Sequence, residues 1–228
     1  GLAQGAHIIC HDEAPTYSKF PLWHLVQSLE VSIFGCSAAY LQYTHDRLFG
    51  KKSFHVNTDR LHSLLYTGSA LSPDTAASFI NDYSLRPLGI CGGTDLCGCF
   101  FGPTPGVFLD SAAMGPILGM DVDAINEAQD SVYDESGDLI CKQSFPAQPI
   151  GLLNDTPSRD NFKTTYFEHP DHGPVNYWFH GDYVIQSVHE SGHQQFQVLG
   201  RSDATLNAGG VRIGTAELYN ALEPLSFI

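Results

Sequence analysis

In its first half the chain repeats one pattern: a short apolar run, then a stretch with apolar residues at helical spacing. The runs lie at 6–10 (AHIIC), 31–35 (VSIFG), 61–69 (LHSLLYTGS) and 86–93 (RPLGICGG). Between them, residues 22–30 place Leu22, Leu25, Val26 and Leu29 on one helical face, and 37–45 (SAAYLQYTH) is again helix-like. A third helix is marked at its start, with Ser72 as the cap and Pro73 at the first helical position. Strands that alternate with helices predict a parallel sheet in a layered α/β unit, because parallel neighbours need a long crossover connection and the helices supply it.

The second half changes period. Residues 118–145 and 176–201 each read as two strands around a polar turn, the second turn being HESGH at 189–193. Such meanders predict a small antiparallel sheet or barrel. After Arg201 the chain shifts again, and its final helix is expected to be capped by Thr215. The expected fold is α/β plus β: an α/β unit over 1–104, a small antiparallel sheet or barrel over 105–200, and a separate segment over 201–228.

Composition narrows the function. A formal charge of −14 over 228 residues excludes the basic face that a nucleic-acid binder needs. No apolar run is long enough to span a bilayer, and Gly1 opens into the chain without a leader pattern. Six cysteines in a chain of this size do not form a disulfide scaffold, so a reduced, cytoplasmic setting is expected. Cys97 and Cys99 are separated by one residue, which does not suit structural zinc, and no zinc is expected. His169 and His172, in a Pro/Gly/Asp loop, are expected to form a solvated turn.

The chemistry-bearing candidates sit in glycine-rich stretches. At 92–95 (GGTD) an apolar run ends in Gly92 and Gly93 followed by Thr94 and Asp95. Open α/β sheets bind ligands at the carboxyl ends of their strands, where glycine allows close approach and a carboxylate can hold a hard cation. At 179–184 (FHGDYV) Asp182 follows a glycine inside a strand-like run, and 200–217 (GRSDATLNAGGVRIGTAE) carries Arg201, Asp203 and Arg212 at fixed offsets.

In this order the segments at 1–15, 31–41, 65–74, 92–95, 180–184 and 199–220 resemble the adenylate-forming enzymes, the superfamily of acyl-coenzyme A synthetases and luciferases, and within it the acetoacetate-activating subfamily. The resemblance covers nearly the whole chain. It implies a partial adenylate-forming fold: a second α/β subdomain, a small β-barrel, and the hinge and start of a C-terminal lid. It also implies roles. Gly68, Ser69 and Ala70 would lie along adenine. Thr94 would meet the α-phosphate, and Asp95 would hold magnesium. Asp182 would take the ribose hydroxyls with Arg201 beside it. Asp203 would sit at the hinge, and Arg212 would approach the thiol substrate. Gly92 and Gly93 would leave room in the acyl pocket for an acid longer than acetate. ATP or AMP, magnesium, a short acid and coenzyme A are the implied cofactors and partners. The family's phosphate-binding loop lies N-terminal to every segment matched here, and none of Lys19, Lys51, Lys52, Lys142 and Lys163 stands in such a loop. The family's catalytic lysine lies further toward the C-terminus. The chain thus resembles the middle of such a ligase, inactive by itself and open to self-association through an uncovered apolar face. A repurposed small-metabolite enzyme and a non-catalytic binding module are the competing readings.

Overall fold

The computed structural model describes residues 4–12, 15, 22–49, 56–103, 113–204, 206–208 and 211–222. The first layer follows the expected alternation. Helix α1 (Leu22–Ser28) buries Leu22, Trp23 and Val26, then β1 (Ile33–Ser37) leads into α2 (Ala38–Thr44). Ser37 caps α2 by accepting the Tyr40 N–H at 3.1 Å. A π-helical turn, His45–Phe49, extends it. β2 (Ser63–Thr67), α3 (Pro73–Tyr83) and β3 (Pro87–Gly89) complete the layer, and the strands pair in parallel in the order β1-β2-β3. At α3 the Ser72 hydroxyl accepts the Thr75 N–H at 3.2 Å, Pro73 stands first, and Ser84 closes the helix at φ 57°. The core of this layer joins Trp23, Leu41, Leu64 and Phe79, all essentially inaccessible. Trp23 also satisfies its indole N–H on the Thr44 hydroxyl at 3.0 Å, as a buried tryptophan must.

Past Ile90, β4 (Cys91–Gly93), β5 (Gly98–Gly102) and β6 (Gly115–Pro116) form an antiparallel sheet. The two meanders then appear as expected. β7 (Val122–Ile125) and β8 (Ser136–Cys141) are one pair. After α4 (Asp160–Tyr166) and the short hairpin β9 (Glu168–His169) and β10 (Gly173–Pro174), β11 (Trp178–Val188) and β12 (Gln194–Arg201) are the other. The four strands lie in the order β12-β11-β8-β7. A bridge between Met114 and Phe196 joins this sheet to the residue just before β6. Phe101, Phe196, Leu139 and Val184 are buried between them, with Phe101 stacked on Phe196 at 4.3 Å.

Three expectations need correction. The described strands do not close into a barrel: β7 remains an edge, so the β part is an open sheet continued by a second one. Residues 6–10 form no strand. Ile8 and Ile9 are 50% and 45% exposed, because no described sheet edge receives them and a short apolar run is a strand only when paired. His169 is buried rather than solvated, with Nε2 3.5 Å from Asp138 Oδ2 and Nδ1 accepting the Asp171 N–H at 3.1 Å. The buried residues form two clusters, one ending at Leu85 and one beginning at Cys91, and Leu96, Phe100 and Phe101 belong to the second.

Beyond Arg201 a 3-10 turn (Ser202–Ala204) leads into the hairpin β13 (Leu206–Ala208) and β14 (Val211–Ile213) and then α5 (Thr215–Leu222). Thr215 opens α5, with its hydroxyl reaching back to the Leu199 carbonyl at 3.4 Å. Because the Phe196 ring is fully buried and stacked on Phe101, Phe196→Ala should cost about 3–5 kcal/mol in urea unfolding followed by circular dichroism. Ser72→Ala, which removes only a cap, should cost about 1 kcal/mol in the same assay.

Candidate functional site

The parallel register fixes where ligand-binding loops must gather. Tyr66 on β2 pairs with Gly89 on β3. Gly68 and Cys91 each lie two residues further on, so the loop of Gly68, Ser69 and Ala70 and the start of β4 leave the sheet at the same carboxyl edge. Gly68 has φ 94°, which a residue with a side chain adopts only with strain, and all three loop residues are exposed.

A bulge in β11 supplies the opposing wall. Phe179 pairs with Ile140 and Tyr183 with Asp138, so four steps on β11 face two on β8. The surplus residues turn around Gly181 at φ 77°. The distortion gathers His180 and Asp182 against Cys91. The Cys91 thiol donates to Asp182 Oδ2 at 3.3 Å, and His180 Nε2 lies 3.4 Å from the same oxygen. Arg201, opposite Asp182 in the β11–β12 register, reaches the other oxygen, Oδ1, at 3.2 Å and donates to the His180 carbonyl at 3.0 Å. Its guanidinium lies across Gly181, where a Cβ would come within 2.7 Å of it. Phe100 meets the His180 ring edge-on at 4.6 Å.

The electrostatics follow from burial. Asp182 is only 8% exposed, and Arg201 supplies the cation that a buried carboxylate requires. Burial, and then the Asp182 charge, push the Cys91 thiol up, so it stays protonated and able to donate. Burial lowers the His180 imidazole below its ordinary 6.5 despite Asp182, with Arg201 adding to the effect, so the ring is neutral at neutral pH.

Thr94 and Asp95 occupy the turn between β4 and β5, both exposed. Asp95 Oδ2 accepts the Tyr166 hydroxyl at 2.6 Å, and Tyr166 is stacked on Trp178 at 3.9 Å. Burial, reinforced by the Asp95 carboxylate, pushes the tyrosine up to about 12. Asp95 and Thr94 offer hard oxygen donors, a set that fits a magnesium ion sharing its sphere with phosphates. Asp203 is 3.5 Å from Arg201 Nε, so Asp182, Arg201 and Asp203 form one chain of charges. Arg212 stands on β14 opposite Asn207, and its side chain lies outside the described residues.

Gly92 and Gly93 differ from the open space expected of an acyl pocket. A Cβ on Gly92 would fall on the Gly98 carbonyl and within 2.6 Å of the Cys99 Cα, while one on Gly93 would meet the Asp95 carboxylate. Gly92 is therefore needed for the close β4–β5 pairing itself. Gly92→Ala should destabilise the chain by about 1–3 kcal/mol in urea unfolding, and unchanged stability would show that the strands separate without strain.

Sequence reasoning missed Cys91, His180 and Tyr166 as members of this site. Only His180 carried a signal, its position two residues before Asp182. Cys91 resembled any buried cysteine, and Tyr166 any helical aromatic.

No family model matches the chain. It is similar to acetoacetyl-coenzyme A synthetase of Rhizobium meliloti, 35% identical over 232 residues, covering 99% of this chain and 34% of that protein. The acetoacetyl-CoA synthetase of Danio rerio is 36% identical over 226 residues, covering 97% and 32%. Among solved structures, acetoacetyl-CoA synthetase from Streptomyces lividans aligns with a TM-score of 0.74 at 29% identity, covering 89% of this chain and 30% of that one. The anthranilate CoA ligase AuaEII, solved with anthranoyl-AMP, aligns with a TM-score of 0.70 at 15% identity, covering 90% and 36%, which shows the fold alone. The chain spans about a third of the length of the curated relatives it matches. In sequence and in fold, over nearly all of its own length, the chain is similar to acetoacetyl-CoA synthetases, within the adenylate-forming enzymes.

Proposed function

We propose that this chain carries the adenosine-binding part of an acid–thiol ligase that activates acetoacetate, or a similar short acid, with ATP and passes the acyl group to coenzyme A. One observation carries the reading: a buried carboxylate, Asp182, fixed by Arg201 at the sheet edge from which the Gly68–Ala70 loop also leaves. A carboxylate can accept both hydroxyls of a vicinal diol, and an ionised one has about four acceptor sites. Arg201 and the Cys91 thiol use one each. Asp182 then takes the ribose, and the Gly68–Ala70 loop lies along adenine. Thr94 contacts the α-phosphate. Arg212 serves the thiol substrate.

Asp95 and Thr94 would hold magnesium, which when bound neutralises phosphate charge. Tyr166 positions Asp95 by its hydroxyl, so that one carboxylate oxygen is oriented before any nucleotide arrives. Asp203, tied to Arg201, marks the hinge, and the hairpin and α5 beyond it begin the C-terminal lid. The reading divides the chain into an α/β subdomain, a β subdomain that becomes barrel-like only in the whole ligase, and this lid segment. The cysteines are free, which supports a reducing, cytoplasmic setting. Among the described residues no helix is long and apolar enough to cross a membrane. Exposed Leu118, Ile150 and Leu153 support self-association of the isolated chain.

Losing one preorganised group at a developing charge costs about 3–4 kcal/mol, and the reading places the phosphate-clamping loop and the catalytic lysine outside the matched third. The 228-residue chain should therefore bind AMP weakly, at millimolar concentration by titration calorimetry, and release no pyrophosphate with acetoacetate and ATP. Asp182→Ala should abolish that binding. Calorimetry that shows no AMP binding by the folded chain would overturn the reading, as would binding that survives Asp182→Ala.

A further inference from the structure

Among the described residues, Cys91, His180 and Asp182 form a group of three potential metal ligands, whose donor atoms all lie within 4.8 Å of one another. We propose that these three residues bind a borderline-soft divalent cation, Zn²⁺ before others, and that its binding withdraws Asp182 from the nucleotide.

Geometry carries the first part. Tetrahedral Zn²⁺ holds sulfur at about 2.3 Å and nitrogen or oxygen at about 2.0–2.1 Å, so two ligand atoms on one ion stand roughly 3.3–3.5 Å apart. Cys91 Sγ is 3.3 Å from Asp182 Oδ2, and His180 Nε2 is 3.4 Å from the same oxygen. Two edges of the tetrahedron are thus already at ligand spacing. The donor set decides the metal: thiolate and imidazole select zinc or cobalt and disfavour magnesium, which takes the oxygens at Asp95 instead. The group is also built. Cys91 and Asp182 are both 8% exposed, the glycine bulge of β11 aims His180 and Asp182 together, and Phe100 packs against the imidazole.

Charge balances as well. On binding, the Cys91 S–H bond breaks, its proton passes to solvent, and a sulfur–metal bond forms. Thiolate and carboxylate then neutralise the ion. Arg201 stays on Oδ1, the oxygen turned away from Cys91 and His180, so metal and guanidinium do not compete for one atom. Three protein ligands leave a fourth position for water, as in open zinc sites. The second part of the proposal rests on the ribose role proposed for Asp182, because an ion on Oδ2 draws off the carboxylate's charge and, with its fourth ligand, stands where a ribose hydroxyl would approach.

Cobalt tests the site without enzymatic activity. Titration of the full chain with Co²⁺ should raise a near-ultraviolet thiolate-to-cobalt absorption, and equimolar Zn²⁺ should remove it. Cys91→Ser should lose the band, while Cys97→Ser with Cys99→Ser should keep it. His180→Gln, which leaves the thiol in place, provides a second variant and should weaken cobalt binding even if Cys91→Ser folds poorly. No band in the folded native chain, or a band that persists in Cys91→Ser, overturns the site. AMP titrations are then run in metal-free buffer and with Zn²⁺ at site saturation. Weaker AMP binding with Zn²⁺ supports the coupling, and equal binding overturns it. Absence of AMP binding in metal-free buffer refutes the ribose role and the coupling that depends on it, while the cobalt result stands independently.

Discussion

Arg201 lying across Gly181 is the contact on which the rest of the site depends. The guanidinium satisfies the buried Asp182 carboxylate and the His180 carbonyl together, and it lies in the space that a side chain at residue 181 would enter. Without that cation, Asp182 would be a buried charge with no ionic partner, which costs several kcal/mol and would expel the carboxylate or protonate it. The bulge, the arginine and the carboxylate are therefore one unit. The bulge turns β11, the turn aims Asp182 inward, and the last residue of β12 answers it. Arg201 is half exposed, so its pairing with Asp203 is screened by salt, whereas its pairing with the buried Asp182 is much less so.

The two halves of the molecule reach this unit by different routes. The parallel layer delivers loops at one edge, because every parallel strand ends on the same side. The antiparallel layer delivers side chains by irregularity, a bulge in one strand and the end of the next. Ile90 joins the two layers, donating its N–H to the Tyr66 carbonyl at 2.9 Å just before β4 begins. This short connection leaves little slack between the sheets, so the Gly68–Ala70 loop and Cys91 leave the parallel layer at one edge.

Much of the fold was legible because its signals are local. Ser72 and Pro73 announced α3, and the alternation of runs and helices announced the parallel sheet. The polar turns at 126–135 and 189–193 announced the antiparallel pairs. What was missed depended on partners. Nothing in AHIIC says whether an edge will receive it. His169 looked solvated because its loop is polar, while Asp138, which buries beside it, lies 31 positions away in β8. For the site, the residues implied by resemblance included Asp182 and Arg201, which the fold joins. Cys91 and Tyr166 were hidden because their roles exist only through contacts across 91 and 71 positions of chain. At Gly92 the sequence does not disclose that the neighbouring strand β5 closes over the missing side chain.

The close seating of α5 on the end of β12 constrains motion. A Cβ on Gly214 would stand 2.7 Å from the Leu199 Cβ, a Cβ on Gly200 would strike the Thr215 hydroxyl, and that hydroxyl reaches the Leu199 carbonyl. The helix is thus latched to the strand that supplies Arg201. Helix α5 is therefore not a free arm beyond Arg201. Moving it off β12 would first release two close glycine contacts and one long hydrogen bond. Leu199 and Gly200, which carry these contacts, stand directly before Arg201, so a shift of α5 would be felt at the residue that holds Asp182.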